Sequence, residues 1–245
     1  MPCTISDTKV AGGRVIDVPR REDFSLDVPA IEAVARDAKL IFIASPNNPS
    51  GNAIAREELD ALLATRLVVV LDEAYGEFAG ESHVSEVPRH DNLLVLRTFS
   101  KWAGLAGLRV GYGVFPSAVV QAAMKIKQPY NLNAAAQAAL LASLADEGVL
   151  RERVQALVAE RERLAQALAQ IRFLTPMPSQ ANFILSRVVG IEAREVWGRL
   201  RERGIMVRYF DSPRVRDCLR ISVGLPEHRE ALIKALQEIG GQLGR

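Results

Sequence analysis

Three short apolar runs, residues 40–44, 67–71 and 93–96, each pass directly into polar residues, and this pattern constrains the fold more than any other feature. Each run is built mainly of Leu, Ile and Val and is far too short for a membrane span, as expected of strands covered on both faces. Helix-like patterns lie before and between them, at residues 29–36 and 57–64. Strand and helix in alternation predict an α/β domain on a doubly wound, mostly parallel sheet. Ligands of such sheets gather at the carboxyl ends of the strands.

The texture changes from Asn133 onward. Residues 134–144 and 149–171 are rich in Ala, Leu, Arg, Gln and Glu and predict two helices, with Gly148 marking the break between them. A smaller α+β pattern follows Pro176 and Pro178: strands at 181–185, 205–208 and 218–223, helices at 193–203 and 226–239. The expected division is a large domain over residues 1–145, then an interdomain helix and smaller α+β domain over 146–245.

Composition narrows the function classes. A 49% hydrophobic content over 245 residues supports a substantial core, and 24% charged residues is ordinary for a soluble protein. The formal charge is +2 with both signs interleaved, so no nucleic-acid footprint is expected. Cys3 and Cys218 make no disulfide framework, which fits a reducing compartment. With no run of membrane length and no hydrophobic core of a signal peptide, the expected location is cytoplasmic, without a membrane partner. No metal site is expected.

The polar strand ends carry the chemistry. After the first run, Ser45-Pro46-Asn47-Asn48-Pro49-Ser50-Gly51 reads as a rigid turn; Asn48 either projects a fixed amide or makes an Asx-turn, with equal weight. After the second comes Asp72-Glu73-Ala74-Tyr75. An acid at the end of a buried strand is costly unless paired or used, and a carboxylate there can keep a pyridine nitrogen protonated. Taken singly, Asp72 and Tyr75 are more simply a helix cap and a core tyrosine. After the third run, Thr98, Ser100 and Arg109 surround Lys101 in sequence. Hydroxyls and a guanidinium suit a phosphate, and a lysine at that position can hold a phosphorylated carbonyl cofactor as a Schiff base. A lone lysine is more often simply solvated.

Asn48-Pro49-Ser50-Gly51, Asp72-Glu73-Ala74-Tyr75 and Ser100-Lys101 with Gly107-Leu108-Arg109-Val110-Gly111 resemble the signatures of the fold-type I, pyridoxal-phosphate-dependent aminotransferases. Lys127-Gln128-Pro129-Tyr130-Asn131-Leu132-Asn133, Ser179-Gln180-Ala181-Asn182-Phe183 and Leu219-Arg220-Ile221-Ser222-Val223-Gly224 extend the resemblance toward the branch that acts on histidinol phosphate. The resemblance implies pyridoxal 5'-phosphate as cofactor, with Lys101 as its Schiff-base residue and proton shuttle. It implies Asp72 at the pyridinium nitrogen, Asn48 and Tyr75 at the phenolic oxygen, and Ser100, Arg109 and Thr98 at the phosphate. It implies Arg220 and Arg208 as substrate-anion residues supported by Asn182. An amino donor and a 2-oxo acid acceptor are the implied small-molecule partners, and a homodimer the implied assembly.

The same resemblance leaves related readings open: a phosphothreonine-decarboxylase-like enzyme, an amino-acid aminotransferase, or a non-catalytic remnant. It begins in the middle of the family pattern, near Gly12, and residues 1–9 match no family motif. The family's earlier stretch supplies a phosphate-binding turn, an aromatic ring stacked on the cofactor and substrate-reaching tyrosines. Without it, an uncovered apolar surface, self-association and weak cofactor affinity are expected.

Overall fold

The computed structural model describes residues 2–243 and divides into two compact units. One runs to Asn48 and resumes from Asn52 to Glu147; the other takes Pro49–Gly51 and the chain from Gly148 onward.

In the first unit, α1 (Pro2–Val10) and α2 (Val28–Val34) precede β1 (Leu40–Ala44). Then come α3 (Arg56–Ala64), β2 (Val68–Asp72), the single-turn α4 (Gly76–Ala79) and β3 (Leu93–Thr98). β4 (Gly111–Val114), α5 (Ser117–Ile126) and α6 (Ala134–Ala145) complete it. The sheet order is β1-β2-β3-β4, parallel except for β4, so the architecture is α/β with a mostly parallel sheet.

Local chemistry sets these elements. The Glu58 carboxylate accepts from the Ala55 N–H (2.9 Å) at the start of α3 and from the Leu26 N–H (2.7 Å), so one side chain both caps the helix and ties down the preceding loop. α3 then buries Leu59, Leu62 and Leu63 against Val69, Leu71, Leu93 and Val95. Truncating a leucine as buried as Leu62 costs about 2–5 kcal/mol.

Three expectations change. β1 is an edge strand and is not covered on both faces: Ile43 packs in the core while Leu40 and Phe42, on the alternate face, are 50% and 40% exposed. β4 has no apolar run to announce it; Gly111 is needed there because a Cβ would lie 2.7 Å from the Arg97 carbonyl oxygen. Gly148 does not break the helices. It sits exposed in the first turn of α7 (Glu147–Ala169), and the break falls at Asp146, which caps the preceding helix.

The second unit contains most of α7, then β5 (Leu174–Pro176), β6 (Phe183–Val188), α8 (Ala193–Glu202), β7 (Arg208–Tyr209), β8 (Cys218–Ser222) and α9 (Pro226–Leu243). Its sheet is antiparallel in the order β5-β6-β8-β7, and α7, α8 and α9 pack Leu164, Leu168, Leu200 and Leu236 around Ile184 and Ile221. β7 is shorter than the apolar run at 205–208 suggests: only its last residue, Arg208, joins the ladder, and exposed Met206 lies outside it. Cys218 is a buried packing residue whose thiol is pushed by burial up to about 12. No helix among the described residues is long and apolar enough to cross a membrane.

Candidate active site

The first unit assembles its polar residues at the carboxyl ends of three neighbouring strands. Ala44 and Asp72 are register partners, as are Asp72 and Leu96, so β1, β2 and β3 end nearly level. Beyond β1 the chain folds back on itself: Asn47 N–H donates to the Asn52 carbonyl (2.8 Å) and Ile54 N–H to Ser45 Oγ (2.9 Å). Asn48 lies exposed within that turn.

Asp72 is the last residue of β2 and is half-buried. Its Oδ1 accepts from the Ala74 N–H at 3.0 Å. Burial pushes its carboxyl above the usual range, and among the described residues no lysine or arginine forms an ion pair with it. A desolvated carboxylate in that condition is favoured as an anion by a cation brought close to it.

Tyr75 precedes α4 directly, and the Lys101 ammonium stands 5.7 Å from the centre of its ring. Lys101 is exposed. Just before it, Ser100 N–H donates to Thr98 Oγ1 (3.1 Å), and the two hydroxyls lie 2.9 Å apart. The loop beyond Lys101 is closed by Leu105 N–H to the Phe99 carbonyl (3.0 Å) and filled by Phe99, whose ring is 5.5 Å from that of Trp102. It ends at Arg109, held at φ 58° in the left-handed region, with Nη1 donating to the Ala106 carbonyl (3.0 Å). A non-glycine residue in that conformation is a local strain that functional loops often keep.

The second unit holds the remaining three predicted residues. Arg208 on β7 and Arg220 on β8 are direct register partners, so their side chains leave the same face of the sheet. Their guanidinium groups lie 5.5 and 5.8 Å from the Phe210 ring, and that of Arg220 also lies 4.9 Å from Phe183. Like charges placed directly opposite are destabilising unless something negative joins them. Asn182 precedes β6, where its carbonyl accepts from Val223 N–H (2.9 Å). Its turn is braced by Ser179 Oγ to the Phe183 carbonyl (2.5 Å) and by buried Arg161 to the Ala181 carbonyl (3.1 Å). Gln180 N–H donates to the Gly51 carbonyl (2.7 Å), and a Cβ on Gly51 would collide with the Ser179 hydroxyl.

Sequence reasoning missed two features. Phe183 and Phe210, the rings beneath the arginines, gave no signal beyond their place beside Asn182 and Arg208. Glu73 is 1% exposed and bound to Arg97, Ser82 and His83. Two consecutive acids ending a buried strand, with an arginine inside the next one, were the available clue.

The chain matches the family model for aminotransferase class I and II over residues 4–236. It is 49% identical over 238 residues to a histidinol-phosphate aminotransferase of Roseiflexus castenholzii, covering 95% of this chain and 64% of that protein. It is 46% identical over 234 residues to a histidinol-phosphate aminotransferase of Dehalococcoides mccartyi, covering 95% and 65%. The chain therefore spans less than two thirds of the length of these curated relatives. A crystal structure of histidinol-phosphate aminotransferase from Sinorhizobium meliloti in complex with pyridoxal-5'-phosphate superposes with a TM-score of 0.87 at 31% identity, covering 99% of this chain and 69% of that one.

Proposed function

This chain belongs to the aminotransferase class I and II family, and we propose that it serves the pyridoxal-phosphate-dependent transamination of histidinol phosphate with 2-oxoglutarate, giving imidazole-acetol phosphate and glutamate. The observation that carries the cofactor is the donor set at the ends of β2 and β3. A primary amine beside a phenol ring, a desolvated carboxylate and two adjacent hydroxyls, with Arg109 in the loop that follows, are the chemistry that a phosphorylated pyridine aldehyde requires.

Bound pyridoxal phosphate supplies an electrophilic carbon and a ring that draws off the electron pair left when a substrate C–H bond breaks. The protein's own residues do the rest. With pyridoxal phosphate bound, Lys101 Nζ would hold the cofactor and would be the group that carries the proton removed from the substrate. Asp72, already disfavoured as an isolated anion, keeps a proton on the ring nitrogen. Asn48 and Tyr75 bind the ring's phenolic oxygen, while Thr98, Ser100 and Arg109 bind the phosphate. Arg220 and Arg208 bind the substrate's anionic groups, supported by Asn182; two opposed guanidinium groups suit a phosphate dianion better than a single carboxylate. For the assembly we assign a homodimer, with exposed Met124, Ile126 and Tyr130 on the surface between copies.

The test is glutamate production from histidinol phosphate and 2-oxoglutarate by the purified chain supplied with pyridoxal phosphate. Turnover of aspartate or aromatic amino acids at equal efficiency would replace the substrate assignment with a general amino-acid aminotransferase. Carbon dioxide release from phosphothreonine would replace it with a decarboxylase.

A further inference from the structure

Beside the proposed cofactor residues lies a second, mutually bonded group of charges that the reaction does not use. Glu73 follows Asp72 directly and its carboxylate is enclosed. Oε1 accepts from the His83 N–H (2.7 Å) and lies 3.1 Å from His83 Nδ1. Oε2 accepts from Ser82 Oγ (2.7 Å) and Arg97 Nη1 (2.8 Å). Arg97 reaches on to Glu77 through Nη2 (2.7 Å), tying α4 to β3. Gly76 packs closely beside this group: a Cβ there would lie 3.3 Å from Glu73 Cβ and 3.4 Å from the Arg97 guanidinium.

The topology of these bonds is informative. One side chain at residue 73 grips residues 82 and 83, closing the loop that contains Tyr75. The first turn of that loop is completed by Gly76 N–H to the Glu73 carbonyl (2.9 Å) and Ala74 N–H to Asp72 Oδ1 (3.0 Å). Glu73 N–H itself donates to the Leu96 carbonyl (2.9 Å), so the clasp is also locked to β3, whose continuation carries Lys101. Burial alone would raise the Glu73 carboxyl, but the bonds from His83 and Ser82 and the Arg97 charge outweigh it and hold it below the usual range. The group is therefore a fixed anion.

We infer that Glu73 is a positioning residue, whose clasp on Arg97, Ser82 and His83 fixes the turn that sets the Tyr75 ring and the Asp72 carboxylate toward Lys101. It touches none of the reacting atoms. The inference deepens the functional reading above and rests on it for the identity of the group being positioned.

Two measurements separate the two. In the protein without cofactor, Glu73→Gln should speed hydrogen exchange of the amides from residue 74 to 83 at least about tenfold, with β1 and the second unit unchanged. In the protein with pyridoxal phosphate, the same variant should weaken cofactor binding about tenfold and displace the midpoint pH of its visible absorption band. If Glu73→Gln fails to fold, Ser82→Ala, which removes the bond from Ser82 Oγ to Glu73 and those that Ser82 Oγ accepts from Arg97 Nη1 and the Val84 N–H, should move all three quantities in the same direction, exchange and cofactor affinity by about threefold. Unchanged exchange in the loop overturns the clasp. Faster exchange with unaltered cofactor affinity and band midpoint overturns the positioning role and leaves a structural ion pair. If the unaltered chain takes up no pyridoxal phosphate, the functional reading fails, and the exchange result alone decides whether the clasp exists.

Discussion

Asp72 and Glu73 are neighbours in the chain, yet their surroundings are opposite. Around Glu73 every partner is protein: an arginine, a serine hydroxyl, and both the backbone N–H and the ring of His83. Asp72 is half-buried, and the bond the protein supplies to it is a single backbone N–H. One carboxyl is held below its usual range and the other is pushed above it. On this contrast Asp72 is the strand-end acid that we propose for contact with a bound cation.

The largest effect expected from breaking this contrast is at Lys101. Lys101→Ala should lower transamination on the order of a thousandfold or more, since positioned proton transfer contributes roughly 10²–10⁴ and the amine also holds the cofactor. Steady-state rates with the two substrates check this, and a loss under tenfold would place the chemistry elsewhere.

Asp72→Asn sharpens the contrast, because function and stability should move in opposite directions. Turnover should fall about a hundredfold as the ring nitrogen loses its anionic partner. The cofactor-free protein should become more stable at neutral pH. The raised Asp72 carboxyl means the folded chain binds its proton more tightly than the unfolded chain does. Its contribution to stability therefore declines as pH rises from the ordinary aspartate range through its folded pKa, and Asn removes that decline. Glu73 behaves in reverse: being lowered, it stabilises above the ordinary glutamate range, and that stability is lost as pH falls through its folded pKa. Melting temperature against pH, for the parent and Asp72→Asn, reads both slopes.

A smaller effect is expected in the second unit. Removing a charge-assisted bond costs about 1.5–3 kcal/mol, roughly ten- to a hundredfold in affinity. Arg208→Ala should therefore raise KM for histidinol phosphate at least tenfold while changing that for glutamate less. Equal loss for both substrates would remove the phosphate from the Arg208 account.

Much of this was legible in the sequence, for a physical reason. The runs that became β1, β2 and β3 are dense in branched apolar residues, and Asp72 stands out because a carboxylate ending a buried strand is expensive, whereas exposed Lys101 and Arg109 are picked out only by their spacing from the hydroxyls of Thr98 and Ser100. What stayed hidden depends on contacts that only the fold creates. β4, as Gly-Tyr-Gly-Val, is too short and too glycine-rich to announce itself and is held by register with β3. Gly148 lies in an exposed helical turn with open space around it, where a glycine costs little, so it did not act as a break. The Glu73 clasp joins residues 9 to 24 positions apart, and no spacing rule brings Ser82, His83 and Arg97 to one carboxylate.

The central claim, that the underserved side of this strand end is the cofactor side, is tested most directly by chemical trapping. The purified chain is equilibrated with pyridoxal phosphate, reduced with borohydride, digested and mapped. The account predicts one dominant pyridoxyl adduct, on Lys101, and its disappearance in Lys101→Ala. Adducts spread over surface lysines with no preference for Lys101 would contradict it.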